Sequence, residues 1–126
     1  MSNATAINVA EVVDTYLASL GQTDPDARAA MIATAWTPNG RYVDPARDVT
    51  GPEAMEANIA AVQEHTPGAT FRRTTGIDLH HEYLRFGWEM VGPDGTVALS
   101  GIDIGRLSED GKLQGICGFF GDMPAA

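Results

Sequence analysis

The sequence predicts an α+β fold in which N-terminal helices cover one face of a curved antiparallel sheet. Apolar residues recur at helical spacing as far as His65, whereas from Ala69 onward they alternate with polar residues. Turns at hairpin spacing, centred on Pro93-Asp94 and Glu109-Asp110, divide the alternating part into strands. A sheet of this kind that wraps around a helix forms a cone with one closed end.

The first helix is predicted to begin at Val9. Asn8 and Glu11 form a capping box, and apolar side chains then recur at helical spacing, with Tyr16 among them. Gly21 supplies the stop signal. Residues 1–7 precede this cap and are predicted to be flexible.

Two further helices are predicted before the sheet. Asp24-Pro25 is an N-cap followed by proline at the first helical position, and the alanine-rich stretch 27–36 follows it. Gly51-Pro52 opens the third helix and Pro67-Gly68 ends it. Its apolar stripe consists of Met55, Ile59 and Val62.

The strands are predicted from alternation and from turn residues. Arg41–Asp44 is a short extended segment closed by Pro45, after a turn at Pro38-Asn39-Gly40. The longer strands are Thr70–Leu79, Tyr83–Val91, Val97–Leu107 and Leu113–Phe120.

Histidines are assigned to structural positions. His65 closes the third helix, where the helix dipole favours a cation. Neighbouring His80 and His81 point to opposite sides of a strand and, next to Glu82, are predicted to form an exposed hairpin turn.

Length and charge limit the possible functions. The 126 residues are predicted to form one domain spanning 1–126, and a net charge of −9 makes nucleic acid and anionic membranes poor partners. No signal peptide or membrane-spanning run is recognisable, which predicts a cytoplasmic protein. The single cysteine, Cys117, excludes an internal disulfide and a thiolate zinc site.

Asp103 interrupts an apolar row in the third long strand. If Leu99 and Leu107 face the core, Asp103 faces it too; the opposite orientation buries Ile102 and Ile104 instead. Periodicity alone gives the two orientations similar weight, because both faces carry apolar residues. An ionised carboxylate in the core would need partners or a proton.

Three strings resemble the nuclear-transport-factor-two-like superfamily, in particular its SnoaL-like and ketosteroid isomerase branches. They are TYLASL with Tyr16, YVDP with Asp44 and GIDIGRL with Asp103, and the ending ICGFFGD also looks like the final strand of this superfamily. The resemblance covers Val9 to Gly121 and implies a cone-shaped α+β barrel, an apolar pocket at its open end and a homodimer. It favours the inward orientation of Asp103.

The ketosteroid isomerase resemblance also implies a chemistry. Asp44 would be the ionised general base, while Tyr16 and a protonated Asp103 would donate hydrogen bonds to an enolate oxygen. This chemistry acts on a small apolar or cyclic carbonyl compound and needs neither a metal nor an organic cofactor. Residues predicted to bind the substrate are Tyr42, Trp88, Phe86, Leu99, Arg73 and Met55.

Other interpretations remain open. Tyr16 is also explained as a core residue, and Asp44 before Pro45 as a turn aspartate. A non-catalytic ligand-binding protein would have the same pocket. If Arg73 pointed inward it would pair with a carboxylate, as in epoxide-hydrolase-type pockets, and would lower the pKa of Asp103, whereas burial alone would raise it.

The strand that carries Asp103 also predicts how the protein assembles. An inward Asp103 leaves Ile102 and Ile104 on the outer face of the sheet, together with Ala98 and Ser100. An exposed apolar sheet face is a candidate interface, and a symmetric homodimer is the simplest closed assembly.

Overall fold

The computed structural model describes the backbone of residues 2–126 and the side chains of residues 9–126. Over that range the chain forms three helices and seven strands. The helices are Ser2–Leu20 (α1), Pro25–Ala35 (α2) and Pro52–His65 (α3). The strands are Trp36–Asp44 (β1), Arg47–Thr50 (β2), Thr70–Arg73 (β3), Asp78–His80 (β4), Tyr83–Val91 (β5), Val97–Leu107 (β6) and Leu113–Phe120 (β7).

One sheet contains all of these strands, in the order β2-β1-β7-β6-β5-β3, and β4 pairs with the other end of β5. The α+β cone fold is therefore confirmed. The sheet is mixed and open, however, since β1 pairs with β7 in parallel while the remaining pairs described are antiparallel. The parallel pair arises because β7 joins a strand from the helical half of the chain, which a meander prediction does not include.

Helix α1 begins at Ser2, so the predicted start at Val9 is wrong. Alanines at positions 4 and 6 are strong helix formers and extend the helix toward the N-terminus. The side chain of Asn8 lies outside the described residues, and so does the predicted capping box. The flexibility of residues 1–7 stays a prediction.

Strand β1 is longer than predicted and contains the Pro38-Asn39-Gly40 stretch that was expected to be a turn. Its pairing with β7 shifts in register between Trp36 and Arg41, and this bulge accommodates the proline. A Cβ atom on Gly40 would lie 2.5 Å from the Trp36 ring, so glycine gives that ring room to pack. Strand β1 also pairs with β2, a short strand that the sequence did not indicate.

The predicted strand 70–79 is split into β3 and β4. Between them, the hydroxyl of Thr75 accepts a hydrogen bond from the Gly87 amide, a donor that strand pairing would otherwise use. A side chain thus replaces the backbone partner, and the strand breaks there. The predicted bounds of β5, β6 and β7 are confirmed.

Helices pack on the inner face of the sheet, and Asp103 lies on that face at 2% exposure. The inward orientation of β6 is therefore confirmed. The outer face leaves Ile102, Ile104 and Phe119 between 45% and 55% exposed. No helix in the described part of the chain is long and apolar enough to cross a membrane.

Candidate functional site

A cavity of about 150 Å³ lies between α1, α3 and the inner face of the sheet. Its apolar walls come from both helices and from four strands. They consist of Leu17, Leu20, Val62, Phe71, Trp88, Met90, Leu99 and Phe120. The polar lining consists of Tyr16, Tyr42, Asp44, Arg47, Asn58, His65, Thr66 and Asp103.

Tyr16 and Asp103 form a buried pair in this cavity. Tyr16 lies on the buried stripe of α1, and its hydroxyl donates a hydrogen bond of 3.1 Å to Oδ2 of Asp103. Burial raises the pKa of Tyr16 well above its ordinary value, and the nearby charge of Asp103 acts in the same direction. The tyrosine therefore keeps its proton and remains a donor at neutral pH.

Burial also raises the pKa of Asp103, from 3.8 to about 6. The hydrogen bond from Tyr16 opposes this shift, and the negative charge of Asp44 adds to it. The direction is the one expected for a desolvated carboxyl without an arginine partner. Asp103 can therefore take up a proton at mildly acidic pH.

Trp88 lies on β5, the strand next to the one that carries Asp103, and its indole ring is buried. Its N–H lowers the pKa of Asp103 and so opposes the effect of burial. The same Nε1 atom nevertheless has no hydrogen-bond partner among the described residues, so it approaches Asp103 without hydrogen-bond geometry. The indole N–H is thus a buried donor without an acceptor.

Asp44 ends β1 and faces the same cavity, with its side chain only 2% exposed. Its Oδ2 accepts a hydrogen bond of 2.6 Å from the Tyr42 hydroxyl, and its Oδ1 accepts one of 2.8 Å from the Ala46 amide. A guanidinium nitrogen of Arg47 lies 3.9 Å from Oδ2. The turn and pocket interpretations of Asp44 therefore both hold, since one oxygen forms the turn while the carboxylate lines the cavity.

Tyr42 is held in its place by the same bond. Burial raises the pKa of its hydroxyl well above the ordinary value, and the hydrogen bond to Asp44 contributes in the same direction. The tyrosine is thus a fixed donor to the carboxylate and, as predicted, a wall of the cavity.

Gly118 is a site residue that sequence reasoning missed. It pairs with Asp103 across β6 and β7. A Cβ atom at this position would lie 3.0 Å from Oδ1 of Asp103 and 3.6 Å from Cβ of Asp44. Glycine in the strand between the two carboxyls therefore leaves the space that both occupy. A glycine inside a strand is the signal that could have identified it.

The predicted binding residues divide into two groups. Tyr42, Trp88 and Leu99 line the cavity, but Phe86, Met55 and Arg73 do not. Phe86 is buried in the core, and Met55 lines a smaller neighbouring pocket of about 10 Å³ beneath α3. Neither side chain reaches the main cavity, and these two predictions are therefore corrected.

The correction for Arg73 is larger. It shares a strand face with Phe71, as expected, but its guanidinium forms two hydrogen bonds, of 2.6 and 3.1 Å, with the Asp14 carboxylate of α1. The ion pair holds Arg73 at the helix surface, away from both buried carboxyls. The epoxide-hydrolase interpretation based on Arg73 therefore lacks its geometry.

A polar rim was also missed, formed by Arg47, Asn58, His65 and Thr66. Asn58, Val62 and His65 are spaced four and three residues apart on α3 and share one helix face. Helical spacing could have identified this face. The prediction followed the apolar stripe instead and assigned His65 only to the helix end.

Comparisons with known proteins bear on the fold and the family. No family model matches the sequence, and no curated protein matches it. Among solved structures, a nuclear-transport-factor-two-like protein from Exiguobacterium sp. is 20% identical, with a TM-score of 0.71 over 89% of this chain and 99% of its own. A protein with a ketosteroid isomerase-like fold from Catenulispora acidiphila is 17% identical, with a TM-score of 0.70 over 86% and 83%. Both show the fold alone.

A SnoaL-like family protein from Agrobacterium tumefaciens is more similar. It is 30% identical to this chain, and the two superpose with a TM-score of 0.85 over 92% of this chain and 99% of that one. Sequence identity at this level, over nearly the whole length of both chains, indicates membership of the same family as well as a shared fold. The chain therefore belongs to the SnoaL-like family.

Proposed function

We propose that this protein is a cofactor-free enzyme that transfers a proton next to the carbonyl group of a small, largely apolar molecule. One observation carries the proposal: two buried carboxyls with different surroundings face a single apolar cavity, each with a tyrosine hydroxyl as partner. Two carboxyls kept in different environments are the usual arrangement for a base and an acid in one site.

Asp44 takes the role of the base. Hydrogen bonds from the Tyr42 hydroxyl and the Ala46 amide fix its side chain in the cavity wall. An ionised carboxylate offers about four lone-pair positions, so the two hydrogen bonds leave acceptor capacity toward the cavity. Asp44 removes the proton from the carbon next to the carbonyl, and the electron pair moves to the carbonyl oxygen as an enolate. Where a carbon–carbon double bond adjoins the reacting carbon, the enolate is conjugated, and return of the proton to its far carbon shifts the double bond and completes an isomerisation.

Tyr16 and Asp103 take the role of donors to the enolate oxygen. Tyr16 donates its hydrogen bond to Asp103. Once Asp103 is protonated, both hydroxyls can donate to a ligand oxygen, and two donors in a dry site stabilise the developing negative charge. With a pKa of about 6, Asp103 is mostly ionised at pH 7, and a minor fraction is protonated. A bound apolar ligand excludes water, which raises this fraction.

Names of similar proteins support the same chemistry. The Agrobacterium relative is named as a candidate isomerase, and proteins named as candidate polyketide cyclases from Sinorhizobium meliloti and Jannaschia sp. share the fold at 12% and 16% identity. Proton transfer next to a carbonyl is one route to reactions of both kinds.

Deuterium exchange tests the proposal directly. Cyclic ketones and enones in D₂O should exchange the protons next to the carbonyl faster with the protein than without it, followed by NMR. Asp44→Asn should lower the catalysed rate by about two to four orders of magnitude, the usual contribution of a general base. Asp48→Asn is the matched control, because it removes an exposed carboxylate paired with Arg41 on the neighbouring strand. Unchanged exchange in Asp44→Asn removes Asp44 from the mechanism.

A second candidate function is ligand binding without chemistry. It is favoured by the fact that both oxygens of Asp44 already accept hydrogen bonds from within the protein. Such a protein would bind the same ketones and return them without deuterium. Binding with no exchange across the whole panel would decide for this candidate.

We also propose that the protein assembles as a homodimer through the outer face of the sheet. Ile102, Ile104 and Phe119 lie on neighbouring strands and form one exposed apolar surface. A second copy of the same surface would bury it symmetrically.

A further inference from the structure

Arg47 differs from the other arginines of the chain. Five of them hold a carboxylate at hydrogen-bond distance, namely Arg28, Arg41, Arg72, Arg73 and Arg85. Arg47 and Arg106 have only longer contacts, of 3.9 and 3.7 Å. Arg106 pairs with Glu82 away from the cavity, whereas Arg47 lines it. Among residues 9–126, Arg47 is thus the one arginine at the cavity, and it lacks a hydrogen-bonded carboxylate.

Asp44 does not satisfy this guanidinium. Charge-assisted hydrogen bonds between arginine and carboxylate are about 2.7–2.9 Å long and often bidentate, and 3.9 Å is too long for one. The oxygens of Asp44 already accept hydrogen bonds from Tyr42 and from the Ala46 amide. The donors of Arg47 therefore remain available to a ligand, and its side chain is 34% exposed.

The charge of the whole chain makes this position distinctive. With 17 acidic and 8 basic residues, the protein repels anions over most of its surface. At the cavity, His65, Thr66 and Asn58 accompany Arg47 on the polar rim. Oδ1 of Asn58 is buried without a hydrogen-bond partner among the described residues. The cavity lining thus combines apolar walls and two carboxyls with one guanidinium.

We infer that the substrate is a small keto acid, with its ketone between Asp44, Tyr16 and Asp103 and its carboxylate on Arg47. This inference rests on the proposed function and specifies its substrate class. A cavity of about 150 Å³ matches a single six-membered ring, since an engineered apolar cavity of about that volume takes up benzene. Because Arg47 lies 3.9 Å from the proposed base, only a short spacer separates the carboxylate from the reacting carbon.

A matched pair of ligands tests the inference. 4-Oxocyclohexanecarboxylate and its primary amide have the same ring and ketone and differ in charge. We expect the native protein to exchange the ring protons next to the ketone. Its kcat/KM for the acid should be at least about tenfold higher than for the amide, mainly because KM for the acid is lower. Arg47→Gln should remove this preference by weakening the acid alone, and Arg47→Lys, which keeps the charge without the planar fork, should fall between.

The design separates the carboxylate contact from an indirect effect on Asp44. If Arg47 acted only by tuning Asp44, Arg47→Gln would slow both ligands alike, and that result overturns the inference. Equal kcat/KM for acid and amide in the native protein overturns it too. Arg106→Gln is the control, because it removes a loosely paired arginine away from the cavity. It should leave both ligands unchanged.

Binding measured alongside exchange distinguishes failure of this inference from failure of the proposed function. Titration of the acid and the amide gives Kd independently of turnover, followed by tryptophan fluorescence, in which Trp88 in the cavity wall reports the ligand and Trp36 outside it adds a background. Arg47-dependent binding of the acid with no exchange of either ligand refutes proton transfer and upholds the carboxylate site. Exchange of both ligands with no dependence on Arg47 upholds proton transfer and refutes the keto acid.

Discussion

Asp103 should make the protein less stable as the pH rises through the mildly acidic range. Its pKa rises from an ordinary 3.8 to about 6 on folding, chiefly because burial penalises the charged form. Between these two values the folded chain holds more protons at this site than the unfolded chain does. The free energy of unfolding therefore falls as the pH rises, opposite to the effect of a salt-bridged aspartate.

The size of the effect follows from the shift. A pKa difference of about two units corresponds to about 3 kcal/mol when the group is fully ionised in both states. At pH 4 most of this cost is absent, because the folded form is protonated. Asp103→Asn removes the titration while keeping an acceptor for Tyr16. The stability of Asp103→Asn minus that of the native protein should therefore rise by about 2 kcal/mol between pH 4 and pH 8.

Urea unfolding of both proteins at each unit of pH measures this difference, and other titrating groups largely cancel in it. Asp94→Asn is the control. Hydrogen bonds from Thr96 lower the pKa of Asp94 below its ordinary 3.8, so its difference curve should fall with rising pH near and below that value and stay flat above it. A curve for Asp103→Asn that is flat, or that falls with pH, would refute the assignment of a desolvated carboxyl and with it the donor role of Asp103.

Three further predictions concern neighbouring features. Gly118→Ala should cost about 1–3 kcal/mol in urea unfolding and slow deuterium exchange, because its Cβ would lie 3.0 Å from Asp103 Oδ1; a stable, fully active variant would contradict the close approach. Tyr16→Phe should raise the pKa of Asp103 above about 6 in a carbon-labelled aspartate titration, because the lost hydrogen bond favours the charged form; a lowered pKa would disprove that contact. Ile104→Lys should convert the proposed dimer to a monomer in sedimentation, and a native protein that sediments as a monomer at micromolar concentration would exclude the dimer.

The sequence predicted the individual strands better than the way they pair in the sheet. The bounds of β5, β6 and β7 were correct because alternation and glycine turns are local signals. The pairing of β1 with β7 was not predicted, since parallel pairing between distant strands leaves no local pattern. The length of β1 was missed for a related reason: its bulge absorbs Pro38, a residue that normally argues against a strand.

Prediction of the site followed the same division. Tyr16, Asp44 and Asp103 face one cavity, as the resemblance to ketosteroid isomerases implied. For Asp103 the strand period alone had left both orientations open. Arg73 was misplaced because its partner, Asp14, lies far away in the sequence on α1. Gly118 and Arg47 were missed because their significance comes from what surrounds them in space.

The parallel pairing of β1 with β7 determines at which point of synthesis the sheet can be completed. All three helices and both strands of the β1–β2 hairpin precede residue 66, but the strand that attaches this hairpin to the sheet ends at Phe120. In a growing chain α1 can pack against β3 before β7 exists, but β1 and β2 cannot join the rest of the sheet until that last strand has been made. Such non-local pairing slows folding and leaves apolar surface exposed meanwhile. Asp44 on β1 and Asp103 on β6 are brought together through that final strand, so the site is completed late.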